Sequence, residues 1–254
     1  MSSEKPFILV SNDDGIYSNG IKALAEVAAE FGEVMIVAPD RQQSAVGHAV
    51  TIETPLRANA TKVAGKFDGL AVNGTPADCV KLAHDQLLKG RKPDLVLSGV
   101  NHGSNAGINI LYSGTVSAAT EGTVLGYPSI AVSCTDYDES ADLTGTMEAA
   151  RRVIKFVLDN KPPKGVTFNV NAPSGDYKGI KWARMADSRY VEEYEARKDP
   201  FNRPYYWLTG KFELLDDSND ADIYLLNQGY AAVTPIQYDL TDYSLLKDIA
   251  EKEL

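Results

Sequence analysis

Cationic side chains are the minority in this chain. Twenty-five Lys and Arg stand against 35 Asp and Glu, a formal charge of −10. A duplex nucleic-acid binder needs a basic face, so that class is excluded. Histidine and cysteine are scarce. The three histidines, His48, His84 and His102, are scattered, and the two cysteines, Cys79 and Cys134, sit inside apolar stretches. Neither set has zinc-site spacing, and the cysteines read as small buried hydrophobes. No apolar run approaches the roughly 20 residues that span a bilayer. The opening MSSEKP holds an early Glu and leads straight into a strand, which argues against a signal peptide. A cytoplasmic protein without a membrane partner is expected. With 44% apolar residues in 254, the chain can still bury a sizeable core.

What is present alternates. FILVSN, from Phe7, is a short apolar run bounded by turn residues, as in a buried parallel strand. NGIKALAEVAAEFG puts Ile21, Leu24, Ala25 and Ala28 on one helical face, with Gly32 as a stop. EVMIVAPD is a second strand, and RQQSAVGHAVTIETPL reads as a loop leading into a short strand. GTPADCVKLAHDQLLKG opens with Thr75 as N-cap, Pro76 at the first helical position and Asp78 in the first turn. KPDLVLSGVN and SIAVSC are further strands, with the small-residue helix YSGTVSAATEGTVLGYP between them. DLTGTMEAARRVIKFVLDNKPP is a long amphipathic helix stopped by Pro162 and Pro163. This order predicts an α/β protein with a doubly wound, mostly parallel, Rossmann-like sheet. The core is expected over 1–164. Beyond it, 165–254 reads as a β-rich C-terminal extension with a terminal helix, not an independent domain. There DDSNDAD is a solvated loop with a minor calcium alternative, and Tyr205, Tyr206 and Trp207 read as hairpin contacts rather than a base-stacking site.

Doubly wound sheets bind ligands at the carboxyl ends of their strands. Those ends carry Asp13 and Asp14, then Ser44 shortly after the second strand, and Asn101. Two adjacent carboxylates repel, and a dry unpaired charge is costly. A hard divalent cation takes carboxylate, hydroxyl and amide oxygens, so these four residues suit Mg²⁺ or Mn²⁺. The local sequence leaves a second reading open, in which Asp13 caps the first helix and Asp14 hydrogen-bonds within its turn. Ser113, Gly114 and Thr115 open a helix and could hold an anion on free N–H groups, or simply pack tightly. Beside a cation in an acidic protein, phosphate is the better reading. His102 and His48 read first as loop residues and second as groups bordering the pocket; His84 reads as surface.

Taken together, ILVSNDDGI, VAPDRQQS, NGTPADCVKLA, PDLVLSGVN and YSGTVSAATEG resemble the SurE (survival protein E) family of nucleotidases, over about residues 7–135, and GYAAVTPIQYDLTDY resembles its C-terminal segment. The resemblance implies a metal-dependent phosphomonoesterase acting on nucleoside monophosphates, with short polyphosphate as a further substrate. It implies one divalent cation per subunit on Asp13, Asp14, Ser44 and Asn101, with Asp13 and Asp14 also catalytic. It adds Asn105 to Ser113, Gly114 and Thr115 as the phosphate cradle. It further implies a homodimer or homotetramer with exchanged C-terminal elements. Where relatives carry a tail histidine this chain has Tyr243, which leaves the tail without that contribution. Two other readings stand beside the nucleotidase: a phosphatase working through an aspartyl-phosphate, and a nucleotide-binding module without turnover. A receiver domain is disfavoured, because no Lys follows SIAVSC.

Overall fold

The computed structural model describes residues 5–250 and residue 252. Residues 1–4, which bear on the leader question, and the last residues of the predicted terminal helix lie outside the described residues. Thirteen strands are described: β1 Phe7–Ser11, β2 Glu33–Pro39, β3 Ala58–Val63, β4 Phe67–Val72, β5 Leu95–His102, β6 Ser129–Cys134, β7 Val166–Ala172, β8 Ile180–Trp182, β9 Ser188–Val191, β10 Tyr194–Lys198, β11 Pro204–Leu208, β12 Lys211–Leu214 and β13 Ala231–Gln237. The helices are α1 Asn19–Ala29, α2 Pro76–Leu82 (continued by a π turn), α3 Asn109–Tyr112, α4 Gly114–Val124, α5 Thr144–Asn160, α6 Asp222–Asn227 and α7 Tyr243–Ile249. Among them none is long and apolar enough to cross a membrane.

Nine strands form one sheet in the order β3-β4-β2-β1-β5-β6-β7-β13-β8, parallel from β4 through β7. This is the doubly wound, mostly parallel sheet expected from the alternating pattern. β7, β13 and β8, all beyond residue 164, extend the same sheet. The two faces follow from the period-2 side-chain alternation of β1. Ile8 and Val10 enter a core layer with α1 and α5, while Phe7 and Leu9 enter another with α2 and Ala118 of α4. Outside the sheet, β10 pairs only with β11, and β9 with β12.

Chain direction across the sheet places the ligand crevice. β1 has β2 on one side and β5 on the other. The chain leaves β1 through α1 toward β2, and returns through α2 to β5, so the order reverses between β1 and β5. Ligands bind at the carboxyl ends flanking such a reversal, and here those ends carry Asp13, Asp14 and Asn101.

One glycine fixes how closely α1 sits on β5. A Cβ added at Gly20 would lie 2.0 Å from the Val100 carbonyl oxygen. Elsewhere in a helix, Gly→Ala stabilises by about 1 kcal/mol. Gly20→Ala is expected to destabilise instead, by about 2–3 kcal/mol through overpacking against backbone. Urea denaturation of the two proteins measures this, and an unchanged or raised midpoint would refute it.

Two local expectations are corrected. The segment read as a loop entering one short strand contains no strand until Ala58, where a hairpin of β3 and β4 begins. Its edge strand ANATKV is too polar to signal itself. DDSNDAD is not only loop, because Asp222 starts α6. Three of its four carboxylates are engaged: Asp216 and Asp220 pair with Arg184 at 2.5 and 3.0 Å. Asp222 is fully buried and accepts from the N–H groups of Gly107, Ala186 and Ile223. Burial pushes its carboxyl pKa up, and those bonds oppose the rise.

Candidate active site

A cavity of about 1060 Å³ opens at the strand ends, with Asp13, Asp14, Ser44, Asn101, Asn105 and Ser113 in its lining. Six of the eight predicted site residues therefore line one cavity. Gly114 and Thr115 are buried and are not in that lining.

Asp13 does not cap α1. Ser18 does, its hydroxyl accepting from the Ile21 N–H at 3.4 Å. Asp13 instead sits at the N-terminus of α4, where the Thr115 hydroxyl donates to its carboxylate. Gly114 makes this approach possible, since a Cβ there would fall 2.8 Å from the Asp13 Cβ. Asp13 is only 6% exposed. Burial lifts its carboxyl pKa from 3.8 to about 6, with the neighbouring Asp14 charge adding to the rise and Thr115 opposing it.

Asp14 is half-buried, and burial raises its pKa as well, against the pull of the His102 ring and backbone N–H. Its Oδ1 accepts weakly from Gln42 at 3.4 Å, while the buried Oδ2 has no hydrogen-bond partner among the described residues. Asn101 uses its Nδ2 on the carbonyls of Gly103 and His102, at 2.7 and 3.3 Å, which leaves Oδ1 as its free oxygen. Ser44 lies in an exposed turn before Ala45, which has φ 54. That turn is tied to β1 through the Gln43 N–H, which donates to the Asp13 carbonyl at 2.7 Å. Two desolvated carboxylates, an orphaned buried oxygen, an amide oxygen and a hydroxyl around one cavity make an all-oxygen donor set. It fits a hard divalent cation.

Asn105 is held from β6 and β7. Its N–H donates to the Asn171 Oδ1 at 2.8 Å and its Nδ2 to the Ser133 hydroxyl at 2.9 Å. Its carbonyl accepts from the side-chain amides of Asn169 and Asn171, at 2.8 and 3.3 Å. The second Nδ2 proton remains for the cavity. Sequence reasoning missed this support, although polar residues at alternate positions of the apolar strand VTFNVNA were a visible signal. The next residues are fixed from the C-terminal region: Gly107 by Asp222, Ile108 by the Ser188 hydroxyl at 2.9 Å, and Asn109 by the Tyr190 hydroxyl at 2.9 Å.

The three histidines take three different places. His102 lines the cavity, its ring nitrogens buried without hydrogen-bond partners among the described residues. His48 is not in the cavity lining; it lies 2.9 Å from Glu121, whose other oxygen is 2.6 Å from Lys81. Burial would push the Glu121 carboxyl up, but these two partners hold it below its ordinary range. The effect is to staple the loop after Ser44 to α2 and α4. His84 is not free surface, because its Nδ1 meets the Tyr127 hydroxyl at 2.6 Å.

Fold and cavity together define a doubly wound α/β protein with a carboxylate-bearing ligand cleft at the reversal of its sheet. Comparison with known proteins narrows this class. A family model described as survival protein SurE matches residues 8–192, and the chain belongs to the SurE family. It is 49% identical over 245 residues to the 5′-nucleotidase SurE of Cytophaga hutchinsonii, covering 95% of each chain. It is 46% identical over 259 residues to that of Christiangramia forsetii, covering 100% of this chain and 99% of the relative. The crystal structure of the SurE protein from Aquifex aeolicus superposes with a TM-score of 0.82 at 40% identity, over 96% of this chain and 98% of that one.

Proposed function

We propose that the chain is a divalent-metal-dependent phosphomonoesterase that hydrolyses nucleoside monophosphates to nucleoside and phosphate. Near-full-length relatives named 5′-nucleotidase SurE support the activity. The observation that carries it is the Asp13–Asp14 pair, desolvated at the mouth of α4 in a cavity large enough for a nucleotide.

Asp13, Asp14, Ser44 and Asn101 would hold one Mg²⁺ or Mn²⁺. When bound, such an ion neutralises phosphate charge and makes a water more acidic. The chain's own residues share the rest. Thr115 immobilises Asp13, so that carboxylate keeps its orientation through turnover. Asp14 keeps an oxygen free of protein partners, suited to orienting the attacking water. With the Thr115 hydroxyl on Asp13, phosphate contacts fall to Ser113, the N–H groups of Gly114 and Thr115, and the Asn105 side-chain amide. Donors fixed in advance lose little free energy on reorganisation as charge shifts among phosphate oxygens.

The test is phosphate release from a panel of nucleoside monophosphates with Mg²⁺ or Mn²⁺ supplied. Release supports the reading. Tight nucleotide binding by folded protein without release would replace it with the binding-module alternative. Acid-stable phosphorylated enzyme after quenching would replace it with the aspartyl-phosphate route.

Asn171→Ala tests the cradle. It strands the buried Asn105 N–H, which costs about 1–3 kcal/mol, and frees the loop that presents Asn105. A fall in kcat/KM of roughly tenfold to a hundredfold is expected. Steady-state kinetics measure it, and an unchanged kcat/KM would remove Asn105 from the cradle.

A homodimer or homotetramer with exchanged C-terminal elements is part of the proposal. Every residue of β10 and β11 is exposed, and an isolated two-stranded ribbon is at best marginally stable. α7 buries none of its residues and presents Leu245, Leu246 and Ile249. Both surfaces suit a second copy of the chain. Two buried, unpaired cysteines suit the reducing cytoplasm.

A further inference from the structure

The cavity runs well beyond the carboxylates, and the C-terminal region builds its far wall. Its size matches the roughly 300–1,000 Å³ of small-molecule pockets, far more than an ion and one phosphate need. Tyr190 stands on that wall, half-buried on β9. Its hydroxyl donates to the Asn109 Oδ1 at 2.9 Å, and its ring meets Phe212 of β12 edge-on, with centroids 5.6 Å apart and planes at 78°. Asn109 also lines the cavity. The ring is thus pinned by a hydrogen bond at its hydroxyl end and by packing against Phe212. Tyr112 and Tyr137 line the same cavity, both exposed.

The wall is also selective in charge. Glu139 and Glu193 lie in the lining, and no Lys or Arg does among the described residues. Acceptor-only carboxylates repel a further phosphate, whereas a neutral ring bearing N–H donors meets no such cost. A rigid aromatic face in an acidic surround therefore favours an uncharged heteroaromatic group over another anion.

We propose that Tyr190, locked by Asn109 and Phe212, is the stacking platform for the substrate's nucleobase, so that this site prefers nucleoside monophosphates to phosphate esters without a base. The proposal rests on the nucleotidase reading above. Pre-organisation is what gives the ring its value, since a side chain already fixed loses little entropy when the base arrives.

The experiment compares kcat/KM for adenosine 5′-monophosphate and ribose 5-phosphate, in wild type and in Tyr190→Leu, Tyr190→Met and Tyr190→Phe. Two non-aromatic variants are included so that poor folding of one, seen by circular dichroism, leaves the other to decide. Base–aromatic stacking is worth about 1–3 kcal/mol, or roughly fivefold to 150-fold. The expected result is a fall of at least about fivefold in the ratio of the two kcat/KM values in Leu and Met, with a smaller fall in Phe, which keeps the ring and its packing on Phe212 but loses the Asn109 bond. An equal loss on both substrates would overturn the platform while leaving the nucleotidase standing. Absence of phosphate release from either substrate by wild type would overturn the nucleotidase reading itself, and the platform with it.

Discussion

Asp13→Asn is expected to lower phosphate release by about a thousandfold or more, while the metal-free protein becomes more stable at neutral pH. Both effects come from one carboxylate. The Asn amide keeps the shape of the side chain, and its oxygen can still accept from the Thr115 hydroxyl. What it removes is a negative charge taken out of water at 6% exposure. The carboxyl titrates at about 6 in the folded chain against an ordinary value of 3.8. A carboxyl whose pKa is raised by folding contributes its stability below the unfolded value and loses it as pH rises through the folded one. Between pH 3.8 and about 6 the metal-free protein should lose on the order of 3 kcal/mol. The Asp13→Asn protein should not show that loss. Denaturant midpoints at pH 5 and pH 7, in chelator, measure the difference. Equal pH dependence in both proteins would show that Asp13 is not the strained group, and near-wild-type kcat would remove it from the chemistry.

The stability gain matters for the functional argument. A residue kept for the fold loses stability when neutralised, whereas one held ionised at a cost is kept for what the charge does. Thr115 reduces that cost without removing it. Helix-terminus N–H groups favour a nearby anion, and here the anion is the protein's own carboxylate.

Much of this geometry was legible in the residues. FILVSNDDG carried both the buried strand and the charged end that lines the cavity, because an apolar run closed by Asp13-Asp14-Gly15 delivers two charges to a strand end that must answer them. Thr75 caps α2 and Pro76 opens it as expected, visible because capping is local; the Asp78 side chain also answers the Thr75 N–H, closing a capping box. Asp78 does more than this: the Thr51 N–H and hydroxyl also donate to it, pinning the Ser44 loop. That role joins positions 27 residues apart and leaves no periodicity to read. The same holds for Asp222 on Gly107, 115 residues away, and for Glu121 between His48 and Lys81. The Thr115 hydroxyl is a further case: the fold delivers Asp13 to it from 102 residues away. Local chemistry is written in neighbouring residues, but long-range pairing of polar groups exists only once the sheet order is known.

Removing divalent metal with a chelator is expected to bring turnover down to background and to lower the melting temperature; restoring Mg²⁺ or Mn²⁺ should reverse both. Cations that bind only the folded state stabilise it by mass action, about 2.7 kcal/mol at a hundred times Kd. The size of that shift should depend on pH in a direction set by Asp13. Above about 6 its carboxyl is ionised and ready to ligate. Below that value a proton competes with the ion, so added metal should raise the melting temperature less as pH falls toward 5. Thermal melts at matched metal concentration across that range read the effect directly. In Asp13→Asn the pH-dependent part should shrink to what Asp14 contributes, along with most of the stabilisation. Metal-induced stabilisation that is full-sized and flat from pH 5 to 7 in wild type would place the ion away from Asp13, and with it the reaction centre.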